Sequence, residues 1–463
     1  MMARDTSASS SSTSRQESSG SPGNQERDLE KDASIQSQSD NTSQAGTQKT
    51  TPNSAKPEGR YSDSPIPDGG LRAWLQVLSG FMLYLNSWGI VTAYGVFQSY
   101  YRSSLLREES NSSISWIGTI QGFLLAFMTI FAGPIFDRGH PHVLVATGGF
   151  LVVFGTMMTS LCKQYWQFFL AQGVCVGLGA GQIFIVAVAI LPGWFEGRRA
   201  IATGIAACGA AIGGVVYPIV FHRLQPVIGF PWAVRVMAFI MLATTLVSLA
   251  VVKMRTKPPP RPKIVDFTGF REVLFTLFAI ICFVGSMGLY VPFFYITDYA
   301  SEVEGLNHEL AFYMLPILAS GGILGRIIPA VLADRVGTLP VLAFTTSVAA
   351  ALAFFWILVR SSTGGIVVWS LFYGIFSGPF VSLQTPTIAA ITPDMRIVGG
   401  RLGMSTFCLA LGVLIGNPVA GAIQAHGSWI GMQIFAGCTL ALSAVLTIVM
   451  MVVKMKRDNA EKS

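Results

Sequence analysis

Twelve apolar runs of about 18 residues or more occupy most of the chain. They lie at roughly 74–98, 114–136, 143–162, 166–191, 200–222, 231–252, 273–296, 310–332, 338–359, 364–391, 399–423 and 430–453. Each is long enough to cross roughly 30 Å of hydrocarbon at about 1.5 Å per helical residue. The composition leaves no water-exposed alternative: 51% of residues are hydrophobic and only 12% are charged, outside what a soluble surface tolerates. An all-α integral membrane protein with twelve transmembrane helices is therefore expected. The 48 glycines fit that expectation, because small residues let helices approach closely in lipid. They recur four apart at Gly173, Gly177 and Gly181, and again at Gly209 and Gly213.

One short charged pattern occurs twice, each time where an apolar run meets a polar break. The copies are Gly133-Pro134-Ile135-Phe136-Asp137-Arg138-Gly139 and Ala330-Val331-Leu332-Ala333-Asp334-Arg335-Val336-Gly337. Their matching positions imply two pseudo-symmetric six-helix bundles with equivalent hinges on one face, the layout of an alternating-access carrier. A carboxylate at such a helix end can sit against the positive N-terminus of a helix in the other half, and the adjacent arginine can hold an acidic partner. Asp137, Arg138, Asp334 and Arg335, with Arg198 before the fifth span, are the gate candidates. The plainer reading is topological: an arginine marks the cytosolic side and a glycine permits a tight turn.

Domain limits follow from composition. Residues 1–65 read as a disordered cytosolic tail, being rich in Ser, Thr, Gln, Asn and mixed charge with almost nothing to build a core. The bundles are expected at 66–252 and 273–453. Between them lies a cytosolic linker, 253–272, stiffened by Pro258-Pro259-Pro260-Arg261-Pro262. Residues 454–463 form a second cytosolic tail. Lys and Arg cluster on the even-numbered connections, whereas the longest outer acidic stretch is Asp298, Glu302, Glu304 and Glu309. That bias sets both termini in the cytosol, most simply at the plasma membrane. It also accounts for the net charge of +7 as membrane-flanking collars, with no nucleic-acid partner required. The sequon Asn111-Ser112-Ser113 falls on the expected outer side at the edge of the second span.

The six cysteines form no CxxC pair or Cys/His cluster, so neither a metal site nor a disulfide framework is expected. No nucleophile–base set or phosphate loop stands out either, which argues against an enzyme and against a cofactor.

Several local motifs then converge. Asp68-Gly69-Gly70 precedes the first span and Tyr94-Gly95-Val96-Phe97 lies near its end; Ser115-Trp116-Ile117-Gly118 opens the second. Trp194-Phe195, Arg198-Arg199-Ala200, Thr203-Gly204 and Gly209…Gly213-Gly214 follow around the fourth loop and fifth span. Over about residues 65–455 this set resembles the fungal, monocarboxylate-transporter-like branch of the major facilitator superfamily. The resemblance implies substrate bound midway between the two bundles, and gate roles for Asp137, Arg138, Asp334 and Arg335. Drug–proton antiporters of the superfamily carry a Gly-Pro-x-x-Gly-Gly motif in the fifth helix. This chain has Gly209-Ala210-Ala211-Ile212-Gly213-Gly214, which argues against that class.

Ionisable groups inside the bilayer are costly and are default functional candidates. Arg326 is the clearest, eight residues before Asp334 and so about 12 Å along the helix from its end. Relatives that move lactate-like acids carry an aspartate one turn before this arginine, where this chain has Gly322, and a lysine late in the first helix, where it reads Ala93-Tyr94-Gly95-Val96-Phe97-Gln98. Both departures argue against proton-coupled lactate transport. Because no Asp or Glu falls inside an expected span, a membrane-embedded proton carrier is not expected. Asn86, Tyr94, Gln98, Gln182, Tyr290, Tyr373 and Gln384 complete the substrate-site candidates. The expected function is a secondary transporter of a small organic solute, an organic acid or acidic metabolite, working as a monomer. The alternatives are an exporter of a secondary metabolite and a non-transporting nutrient sensor.

Overall fold

The computed structural model describes residues 68–255, 267–359, 362–392 and 398–460. The expected tail at 1–65 and the proline stretch at 258–262 lie outside them. Every regular element among the described residues is helical, as a backbone in hydrocarbon must be if it is to satisfy its own N–H and C=O groups. Ten of these helices are long and apolar enough to cross a membrane.

One of the ten, Arg199–Val251, has 53 residues and would reach about 80 Å if straight. It doubles back at Gly229, where φ is 77° and ψ is 165°, a conformation open to glycine because it has no Cβ. That helix supplies the fifth and sixth crossings. The first crossing, over 71–105, is broken into α and π pieces and so is not among the ten. With these two resolved there are twelve passes, at the positions the apolar runs predict.

The outer surface is as apolar as the interior. Phe150, Phe239, Phe344, Leu358 and Leu442 are all exposed, a girdle that suits lipid and would drive aggregation in water. Inside, polar side chains tie helices of one half together. Asn86 donates from Nδ2 to Met241 O at 3.1 Å, Thr244 Oγ1 at 2.8 Å and Thr245 Oγ1 at 3.0 Å. Its Oδ1 accepts from the Tyr217 hydroxyl at 2.7 Å. In the second half Ser286 donates to Leu409 O at 2.9 Å and Ser443 donates to Ile281 O at 3.1 Å.

Two sequence expectations are corrected here. The seventh crossing does not stop at 296: it pauses at Tyr290, restarts at Val291 with Pro292 in its first turn, and continues to Glu302. Asp298 is therefore inside the spanning segment Val273–Glu302 and buried, so a carboxylate does lie within a span. Arg401, one of the Lys and Arg residues that the charge bias assigns to the cytosolic collars, is buried at 1% exposure and forms a bidentate ion pair with Glu272.

The first and fifth crossings meet backbone to backbone. A Cβ on Gly213 would stand 2.6 Å from the Gly89 Cα, and backbone cannot step aside as a side-chain tip can. Gly213→Ala is expected to lower stability by about 1–3 kcal/mol, the usual cost of overpacking. Gly364→Ala, at a helical position with nothing within 4 Å, is expected to be neutral. Thermal unfolding of the purified protein in detergent checks both, and equal melting temperatures would contradict the contact.

Candidate functional site

Midway along the seam between the halves lies a cavity. Trp88 and Thr92 come to it from the first segment, Tyr290 and Phe293 from the seventh crossing, Arg326 from the eighth and Ser377 from the tenth. Its free volume is about 20 Å³, room for a water and not for a solute. A second cavity of about 20 Å³ lies toward the end that carries the repeated motif, between Tyr84, Thr129, Phe184, Gln384 and Thr406. Trp88 and Val381 line both and so divide them.

Arg326 is 7% exposed. Its guanidinium occupies the room left by Gly322 one turn earlier, where a Cβ would lie 3.2 Å from Nη1. Among the described residues it has neither an ion pair nor a hydrogen bond. A fixed cation without a counter-ion in so apolar a setting is expensive, and the cavity beside it is where an anion would relieve that cost.

Trp88 was not legible as a site residue in the sequence. It lies in a π-helical turn, Leu85–Gly89, of the kind that concentrates at functional positions because the extra residue re-aims the side chains around it. Its ring stacks on Tyr290 of the other half, with centroids 5.7 Å apart and planes 13° from parallel. The indole Nε1 is buried and has no acceptor.

Of the expected substrate residues, Arg326, Tyr290 and Gln384 line these cavities. Four of the others are engaged elsewhere, and Gln98 lies outside both cavities with its amide buried. Asn86 is saturated inside the first half, as described above. The Tyr94 hydroxyl donates to Ile114 O at 2.5 Å, and its ring lies against Phe294. Gln182 accepts from Thr147 Oγ1 at 2.6 Å, on a helix contact away from the seam. The Tyr373 hydroxyl donates to Leu289 O at 3.0 Å. Gln98 is buried near the Asp298 end of the seam, two turns beyond the cavity residue Thr92.

At that end the halves are joined by polar contacts that the sequence reading missed. Ser99 Oγ donates to Asp298 Oδ1. Arg102 Nη1 lies 3.6 Å from Asp298 Oδ2 and 2.5 Å from Glu302 Oε1, so one cation is shared by two carboxylates of the other half. Asn111 Nδ2 donates to Gln424 Oε1 at 2.6 Å; this amide, the sequon's acceptor, is turned into the seam and buried. Arg223 Nη2 donates to the Tyr313 hydroxyl at 2.7 Å, and the His222 ring stacks on Phe312 at 3.9 Å. The only signal in the sequence was the acidic run itself, which reads as a solvated loop until its helix is seen to continue through it.

The opposite end is different. Arg138, Arg198, Asp334 and Arg335 are exposed there, and no ion pair joins any of them to the other half among the described residues. Asp137 closes the helix Asn111–Asp137. The polar tie at this end lies within one half: Asp68 Oδ1 accepts from the N–H groups of Glu196 at 2.5 Å and Gly197 at 2.9 Å. The Glu196 N–H, with Gly197 and Arg198 beside it, holds the Asp68 carboxyl below the usual carboxylate range. This anchors the start of the first helix to the turn before the fifth and gives the Asp68-Gly69-Gly70 motif a mechanical role.

The architecture has counterparts among known proteins. The family model described as Major Facilitator Superfamily matches residues 77–373 and 330–463. The MFS-type transporter dbaD of Emericella nidulans is 41% identical over 83% of this chain and 87% of its own. The Agnestins efflux protein AgnL12 of Paecilomyces divaricatus is 35% identical over 84% and 89%. The Aspyridones efflux protein apdF of Emericella nidulans is 34% identical over 82% and 78%. Among solved structures, a mutant of the nucleoside transporter NupG superposes with a TM-score of 0.62 over 82% of this chain and 99% of its own, at 14% identity, a likeness of fold. The chain belongs to the Major Facilitator Superfamily and is a multi-pass membrane transport protein, not an enzyme.

Proposed function

We propose that the protein exports a small organic anion by alternating access, with Arg326 as the group that holds the anion. The observation that carries this reading is the buried, unpaired guanidinium on the seam cavity. A substrate carboxylate there would form the charge-assisted pair that the protein itself withholds. The names of two relatives as efflux proteins support export over uptake. Tyr290 and Gln384 flank the path.

The halves 66–252 and 273–453 rock about the cavity. In the state described, the Arg102–Asp298–Glu302 contacts hold one end shut. The path from the cavity toward the end of Asp137, Arg138, Arg198, Asp334 and Arg335 runs past Trp88 and opens when the halves part there; the contacts of those residues form when the other end opens. With both termini cytosolic this is the inward-facing side, and the plasma membrane is the site of action. The carrier works as a monomer.

Two experiments test the reading. Full-length protein produced in fungal cells is compared with Arg326→Gln at equal surface level, and intracellular and external organic acids are measured by mass spectrometry. Wild type is expected to move an acid outward, and the variant to move it about 10- to 100-fold less, the loss of one or two charge-assisted hydrogen bonds. Equal export by the variant, or an exported solute that is neutral or cationic, overturns the role of Arg326.

The second test addresses the closed end. Arg102 and Glu302 are about a third exposed, at 34% and 38%, so water screens the Arg102 contacts and their loss is worth about 1 kcal/mol, roughly a fivefold shift between two states. In a cysteine-free background with Phe293→Cys as reporter, Arg102→Gln is expected to raise labelling from that end about fivefold. Exchanging the charges (Arg102→Asp with Asp298→Arg) is expected to lower it again. Unchanged labelling would remove the latch role.

A further inference from the structure

We propose that Trp88 and Tyr290 form a clamp for a flat, conjugated organic anion, with Arg326 and the Trp88 indole N–H as its hydrogen-bond donors. This rests on the reading of Arg326 as a substrate ligand and adds to it the shape of what is carried.

Three observations lead there. The first is the stack itself. Trp88 belongs to the first half and Tyr290 to the second, yet their rings lie nearly parallel at 5.7 Å, across the point where the halves meet. A ring seated between two aromatic faces needs them about 7 Å apart, twice the contact distance of carbon on carbon. The faces are therefore oriented for insertion, but their planes lie no farther apart than the 5.7 Å between centroids, and insertion requires the halves to part. Phe293 packs at a tilt beside Tyr290, at 6.0 Å and 49°, and bounds the slot on the second-half side.

The second is the inventory of free donors. Two of the three hydroxyl side chains lining the cavity are committed to their own helices: Thr92 Oγ1 donates to Gly89 O at 2.9 Å and Ser377 Oγ to Gly374 O at 3.4 Å, while Tyr290 brings its phenol to the clamp itself. Arg326 has no partner among the described residues, and the Trp88 Nε1–H is buried without an acceptor. An orphaned buried donor is costly in a folded protein, and here two belong to residues that line one cavity. A ligand that satisfies both must present acceptor oxygens and negative charge, as an aryl carboxylate or an enolised dicarbonyl does.

The third is the partition. Trp88 divides the central cavity from the one toward the motif end. A substrate arriving from that end must pass the indole, so seating a ring against it and parting the seam are one event. A saturated acid of the same size gains the charge contact and loses the stacking on both faces, worth about three- to tenfold in affinity per face.

The test uses purified full-length protein and two probes of matched size and charge, 2-naphthoate and decahydro-2-naphthoate, with apparent affinity read from thermal stabilisation. Wild type is expected to bind the flat acid at least tenfold more tightly. Trp88→Leu is expected to bring the two within about twofold, and Tyr290→Leu tests the other jaw should that variant not fold. Trp88→Phe keeps a stacking face but lacks the N–H; it is expected to keep the preference while binding the flat acid about fivefold more weakly. Arg326→Gln is expected to lose both acids. A tenfold preference that survives both leucine variants overturns the clamp and leaves Arg326 standing. Wild-type affinity for both acids in Arg326→Gln overturns the anion reading beneath it. A wild type that binds neither acid overturns the clamp.

Discussion

A guanidinium held in the middle of an apolar bundle with no carboxylate partner among the described residues is the constraint on which the rest of the structure turns. Nothing forces the chain to keep it: a leucine at 326 would pack more cheaply, since burying an unpaired charge costs several kcal/mol. The surroundings accommodate the arginine without neutralising it. Gly322 gives up its side chain to make room, and the rings of Tyr84 and Tyr290 supply dipoles and no formal charge. On the reading proposed here, a cavity that keeps such a cation between two halves attracts an anion and needs only weak additional contacts to orient it.

The two ends of the molecule answer different physical demands. At the Asp298 end the seam is polar and specific: one arginine bridges two carboxylates, a serine caps one of them, and an amide pair lies alongside. Such contacts are individually weak where water reaches them, which suits the closure proposed above, one that comes apart in each transport cycle. At the motif end the charges point outward and the seam is aromatic, with Phe123 and Phe127 of the first half against Phe407 of the second. Smooth packing of this kind, with glycines where helices run closest, lets one half tilt against the other without breaking a buried hydrogen bond.

Most of the fold was legible because hydrocarbon imposes a length and a composition that a reader can measure. Each of the twelve apolar runs coincides with a crossing, and the fifth and sixth follow one another directly because the chain turns between them at a single non-helical residue, Gly229. The site was legible in part. An arginine in an apolar span announces itself, and Tyr290 and Gln384 were found by polarity. Asn86, Tyr94, Gln182 and Tyr373 have the same polarity but satisfy it against neighbouring helices, a distinction made by rotation about the helix axis that no residue type encodes. Trp88 was hidden for a related reason: its position depends on a π turn, and in an apolar run a tryptophan reads as packing. Asp298 was hidden by the opposite bias, because a carboxylate after an apolar run looks like the start of a loop.

The central claim is that the Arg102–Asp298–Glu302 contacts and the motif end oppose one another across a single rocking seam. Distances between spin labels in lipid nanodiscs test it most directly. One pair is placed at Ser104 and Glu309 beside the latch, and another at His140 and Val336 beside the repeated motif, all four being exposed. Replacing Arg102 by glutamine should lengthen the first distance and shorten the second in the same fraction of molecules. Two distances that stay fixed, or that grow together, would contradict the account.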